Sequence, residues 1–162
     1  MNPPFSILAA PAAGLDTDTP FKYVGAFYNN ASSDIVGFNQ ISSNEFRSDG
    51  ELVERSTGGT VSKTTFTLKY VPETAVGVSL NLQLIRNPYE GYSNMYVYTL
   101  NSSYSCHVLA RHEWANNAGS CDLNLKKSNP QTIEHLITNG GGGGVNEAIM
   151  STKSYIDDLS SY

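Results

Sequence analysis

At 162 residues the chain is long enough for one domain whose core needs no disulfide staples. The 10 Lys and Arg against 15 Asp and Glu leave a net charge of -5, which argues against a general nucleic-acid binder but leaves room for a basic patch on one face. No apolar run approaches the roughly 18 residues that a membrane span requires, so no membrane partner is expected.

Residues 1–20 are rich in Pro and Ala and carry no helical period. Residues 5–13 mimic the core of a signal peptide, but Pro11 interrupts them and no basic residue precedes them, so no cleaved signal is expected. Residues 21–28 read as a strand, 29–33 as a turn and 34–41 as a hairpin partner weakened by Gly37. A polar loop over 42–49, a short strand over 51–55 and a turn over 56–59 follow.

The clearest signal is residues 63–70. Phe66, Leu68 and Tyr70 alternate with Lys63, Thr65, Thr67 and Lys69, which is the period of a half-buried strand. The next strand repeats it, with Val78, Leu80, Leu82 and Leu84 on one face and Ser79, Asn81 and Gln83 on the other. Taken as neighbours, the two strands share a polar, weakly basic face. Such a face suits contact with something polar and extended better than it suits an enzyme cleft.

Residues 87–91 form another turn, and 95–100 a strand with Tyr96 and Tyr98 in alternation. Strands over 104–114 and 121–127 flank a flexible tip at 116–119. The pattern then turns helical. Asn129 is a good N-cap, Pro130 fits the first helical position, and Ile133, Leu136 and Ile137 form a stripe. Five glycines at 140–144 break it. A second helix from about residue 146 carries Val145, Ile149, Thr152, Ile156 and Leu159 as its apolar line. Strands followed by two helices make an α+β order, and helices this short need the sheet or another copy of the chain as partner.

Chemistry-bearing motifs are sparse. His107 and His112 with Glu113 and Cys121 match no zinc spacing, and no metal is expected. His135 faces away from its apolar stripe and reads as a surface histidine. Asp16 with Asp18, and Asp157 with Asp158, read as solvated carboxylates. No Gly-x-Ser-x-Gly elbow occurs, and no Gly-Lys-Ser/Thr follows the glycine run. Neither a cofactor nor an enzyme activity is expected. Two cysteines, Cys106 and Cys121, are too few for a disulfide framework; free thiols are the default reading and a bridge the alternative. The sequons at Asn30 and Asn101 matter only in a secreted chain. The 10 tyrosines are mostly sheet and core edge, a few of them able to stack on bases.

Residues 50–59, Gly-Glu-Leu-Val-Glu-Arg-Ser-Thr-Gly-Gly, run into the Lys63–Lys69 alternation, and together they resemble coat proteins of the small single-stranded RNA bacteriophages, the levivirus group. Residues 146–155, Asn-Glu-Ala-Ile-Met-Ser-Thr-Lys-Ser-Tyr, are similar to the last helix of that family. The resemblance implies an N-terminal β-hairpin, an antiparallel five-stranded sheet and two C-terminal helices packed over a dimer partner. It implies that dimers close into an icosahedral shell around genomic single-stranded RNA, and that the inner sheet face binds an RNA hairpin to repress replicase translation. By position, Lys63, Thr65, Thr67 and Lys69, with Ser79, Asn81 and Gln83, become the RNA-binding residues. Cys106 or Cys121 becomes a candidate for a disulfide between dimers.

The sequence therefore leads to one coat-protein domain over 1–162, with an arm or hairpin over 1–49, a sheet over 50–127 and two helices over 128–162. The expected role is a self-assembling, non-enzymatic capsid protein, located in the virion and assembled in the cytoplasm of a bacterial host. The alternative is a secreted β-rich binding module for carbohydrate or a small ligand, using exposed tyrosines, with a small β-barrel enzyme third.

Overall fold

A computed structural model describes residues 5–7, 26–28, 38–86, 91–111, 116–140 and 145–158. Every regular element among them is a strand: β1 (Phe5–Ile7), β2 (Ala26–Tyr28), β3 (Phe38–Gln40), β4 (Glu45–Thr57), β5 (Val61–Thr67), β6 (Ala75–Arg86), β7 (Tyr92–Thr99), β8 (Ser105–Arg111), β9 (Asn116–Asn124), β10 (Thr132–Gly140) and β11 (Val145–Asp157). β1 and β2 pair with each other; the remaining strands form a four-stranded sheet, β5-β10-β7-β8, and a five-stranded one, β3-β4-β11-β6-β9. All pairings are antiparallel.

Within the two large sheets only β3–β4 and β7–β8 pair with a sequence neighbour. The other connections cross from one sheet to the other, so that β4, β11, β6 and β9 face β5, β10, β7 and β8 across a shared core. This is the double Greek-key order of an eight-stranded jelly roll, extended at one edge by β3.

The expected α+β fold is overturned: the fold is all-β, and no helix occurs among the described residues. Both segments read as helices are strands inside the sheets, β10 between β5 and β7, and β11 between β4 and β6. The physical reason is an ambiguous apolar pattern. Ile133, His135 and Ile137 alternate as well as Ile133, Leu136 and Ile137 repeat helically, and all three alternating residues are buried. Thr132, Ile133, Ile137 and Thr138 are β-branched and favour the strand. In β11 Ala148, Met150, Thr152, Tyr155 and Asp157 are buried on one side and Ser151 and Ser154 on the other, and a register shift between Thr152 and Ser154 further hides the period of two. Asn129 caps no helix; its N–H donates to the Lys126 carbonyl at 2.9 Å in a turn.

Other expectations shift as well. Residues 45–49, read as loop, belong to β4, and 116–119, read as a tip, begin β9. Phe38–Gln40 pairs with β4, while Ala26–Tyr28 pairs with β1. The remainder of the expected N-terminal hairpin, the turn at 87–90 and the glycines at 141–144 lie outside the described residues.

The core lies between the sheets. Leu80, Leu82 and Leu84 of β6, Met150 of β11, and Ile133 and Ile137 of β10 are all buried. Full burial of each such side chain stabilises by roughly 1.5–3 kcal/mol. Tyr155 closes one end, stacked on Phe46 at 5.2 Å and edge-on to Phe38 at 5.1 Å. Cys106 of β8 and Cys121 of β9 form a disulfide, so the default reading of free thiols and the implied bridge between dimers both give way to a staple between edge strands of the two sheets.

Glu54 of β4 is buried and holds the segment that leaves β5. Its carboxylate accepts the N–H of Lys69 at 2.6 Å, the N–H of Tyr70 at 3.0 Å and the Thr152 hydroxyl at 2.6 Å. Burial pushes its pKa above the usual carboxylate range, against the opposing effect of these hydrogen bonds and of the Lys69 charge. His135 is the corrected surface histidine. It lies in the core with Phe66 edge-on at 6.0 Å and the Thr64 backbone beside its ring. Burial, and secondarily the Arg55 charge, lower its pKa.

Candidate functional site

The residues expected to form one RNA-binding face occupy two. Strands β5 and β6 are consecutive in sequence but belong to opposite sheets. Thr65 and Thr67 pair with Glu134 and Thr132 across the four-stranded sheet, beside Lys63. Ser79, Asn81 and Gln83 stand on the outside of the five-stranded sheet, on the far side of the core. Lys69 lies beyond the end of β5, where its backbone N–H is held by Glu54.

The outer side of the four-stranded sheet carries an aromatic row. Alternation along β7 places Tyr92, Asn94, Tyr96 and Tyr98 outward, and register sets His107 of β8 beside Tyr96. These groups engage one another. Tyr96 lies near-parallel to His107 at 5.4 Å and to Tyr98 at 6.3 Å. The Lys63 ammonium sits 4.3 Å over the Tyr98 ring and 3.1 Å from the Glu134 carboxylate. The outer end of the exposed Tyr92 ring lies over Gly140, and a Cβ there would displace it. Tyr96 and Tyr98 are half-buried and turn their faces largely towards neighbouring side chains, whereas Tyr92 and Tyr104 are exposed.

The outer side of the five-stranded sheet is different. Register aligns Val53, Ser151, Asn81 and Ser120 in one row across β4, β11, β6 and β9, and Arg47, Ser154, Ser79 and Asp122 in the next. Neighbouring strands lie about 4.8 Å apart and same-face residues about 7 Å apart along a strand, so Arg47, Ser79, Asn81, Ser120 and Asp122 present polar groups around the buried Ser151 and Ser154. Two adjoining recesses follow these rows, of about 670 and 570 Å³. Both are shallow depressions open to solvent. The first is lined by Asn81, Gln83, Ser120 and Ser151, the second by Glu45, Ser79, Asp122 and Asn124, and Arg47 and Lys153 line both.

One wall comes from irregular β4. Its pairing with β11 shifts register where residues 48–51 bulge out opposite Lys153. The Ser48 hydroxyl ties that bulge down by donating to the Gly50 carbonyl at 2.7 Å and the Lys153 carbonyl at 3.2 Å. Among the described residues neither Arg47 nor Lys153 has an ion-pair partner.

Arg47, Lys153 and Ser120 were absent from the sequence-based set. Arg47 fell in a segment read as loop and Lys153 in one read as helix, and the convergence of all three on Asn81 depends on which strands pair. Glu45 accepts the Ser154 hydroxyl at 3.1 Å and lines the second recess together with Asp122. Among the described residues no group of three or more His, Cys, Asp or Glu side chains gathers as a metal site.

Neither a scan against protein-family models nor a search of curated proteins finds a match for this sequence.

Proposed function

We propose that this chain is a jelly-roll binding protein that takes up an extended, hydroxyl-rich ligand, a carbohydrate chain, in the trough on its five-stranded face. One observation carries the reading: Asn81, Gln83, Ser120, Arg47 and Lys153 converge from four strands on adjoining recesses. Amides, hydroxyls and cations in rows match alternating hydroxyls along a sugar chain. The test is a glycan-array screen of the purified chain, followed by Asn81→Ala with Gln83→Ala. Saccharide binding lost in that variant supports the reading, and absence of any saccharide binding rejects it.

A second proposal, the RNA-packaging shell, draws on the strand order. Jelly rolls serve as shell subunits as well as lectins, and fold alone does not assign function. Such a shell cannot use the helix-over-partner packing of the levivirus group, because those segments are β10 and β11. Light scattering with absorbance at 260 and 280 nm separates the proposals. Megadalton particles with a nucleic-acid spectrum favour the shell, and a small oligomer with a protein spectrum favours the binding protein.

A further inference from the structure

We infer that the trough is built for a glycan bearing an isolated acidic group, with its carboxylate or sulfate seated between Arg47 and Lys153. This rests on the carbohydrate reading above and narrows it. Three observations point to an anion at that position.

First, these two residues line both recesses and so mark their junction. Second, the backbone is specialised there. Register pairs Arg47 with Ser154, next to Lys153, and both neighbours of β11 change register between Thr152 and Ser154. Bulges of this kind re-aim a side chain that a regular strand would place elsewhere. Third, neither cation is engaged in a salt bridge among the described residues, although Glu45 and Asp122 share the second recess with them. Lys63, by contrast, is bound by Glu134 and Lys127 by Asp158. Arg47 and Lys153 are the charged residues that line the first recess, so an anionic group there meets two cations and no carboxylate.

The surroundings limit how much acid the ligand carries. The first recess contributes the neutral Asn81, Gln83, Ser120 and Ser151. The second contributes Glu45 and Asp122, which accept from sugar hydroxyls and repel further negative charge. A polyanion with a phosphate at every unit would run its charges onto those carboxylates, so the arrangement favours a mostly neutral saccharide over RNA.

The experiment is calorimetric titration of the full chain with matched pairs: sialyllactose against lactose, and xylo-oligosaccharides with and without a glucuronic acid branch. The acidic member of a pair should bind about tenfold tighter, the gain from one or two charge-assisted hydrogen bonds. That ratio should fall towards one at high salt and in the Arg47→Gln, Lys153→Gln double variant. It should persist in Lys127→Gln, whose charge lies outside both recesses. Equal affinity for both members of each pair overturns the inference and leaves the carbohydrate reading standing. No binding of any saccharide overturns both. Tighter binding of single-stranded homopolymer RNA than of any saccharide overturns the inference in favour of a nucleic-acid ligand.

Discussion

On the four-stranded face Lys63 lies 4.3 Å over the Tyr98 ring and 3.1 Å from Glu134, and Tyr96 packs against His107. On the five-stranded face Arg47 and Lys153 are in no salt bridge among the described residues and border open recesses with Asn81 and Ser120. Both faces are alternating strand surfaces with Lys or Arg, hydroxyls and amides or rings. The contrast teaches that residue type does not separate a solvated sheet face from a binding face. What separates them is whether the polar groups satisfy one another or are held apart by the backbone.

The comparison breaks first if the outer polar rows are structural. Leu80→Ala, in the shared core, should cost about 3 kcal/mol, within the 2–5 range for buried leucines. Its neighbour Asn81→Ala should change stability by less than about 0.5 kcal/mol. Urea unfolding measures both, and a large loss from Asn81→Ala would make that side chain part of the scaffold. Removing the staple between the sheets by Cys106→Ser with Cys121→Ser should cost about 3 kcal/mol, given a sequence separation of 15 residues. An unchanged unfolding midpoint would mean that the two edge strands hold together without it.

The inner sides of the two sheets should differ in pH response. His135, under the four-stranded sheet, has a lowered pKa. Below the unfolded value of about 6.5, the unfolded chain takes up a proton that the native imidazole resists. Stability should therefore fall as pH drops below that value, by at most about 1.4 kcal/mol per pH unit for one proton. His135→Leu should remove this acid slope. Glu54, under the five-stranded sheet, has a raised pKa. Its favourable contribution is present below the unfolded value of about 4.5 and lost as pH rises through the folded one. Glu54→Gln should flatten that limb. Unfolding titrations across pH read both, and slopes unchanged in the variants would count against these assignments.

The smallest expected effect sharpens the contrast most. Tyr98→Ala should lose about 1 kcal/mol through its ring and ammonium contacts and leave ligand affinity unchanged. Arg47→Ala should do the reverse, weakening binding with stability within about 0.5 kcal/mol of the parent.

Much of the strand content was legible. The alternations around Phe66 and through Leu80, Leu82 and Leu84 correspond to β5 and β6, and the outward Ser79, Asn81 and Gln83 followed from the same period. Two things were not legible. The Ile133–Ile137 stretch satisfies helix and strand periods together, and only the neighbours of β10 decide between them. The site then depended on which strands pair. Treating β5 and β6 as partners put Lys63 beside Ser79, whereas the chain crosses between sheets after β5 and brings Arg47 and Lys153 to Asn81 instead. Spatial order in a jelly roll is non-local, so no window of sequence contains it.

The most direct test of the central claim is an amide-resolved NMR titration of the chain with a saccharide taken from the array screen. The account predicts shifts concentrated on Asn81, Gln83, Ser120 and the amides around Lys153, with those around Tyr96 and Tyr98 unmoved. Shifts gathered on the tyrosine row, with the five-stranded face silent, would contradict it.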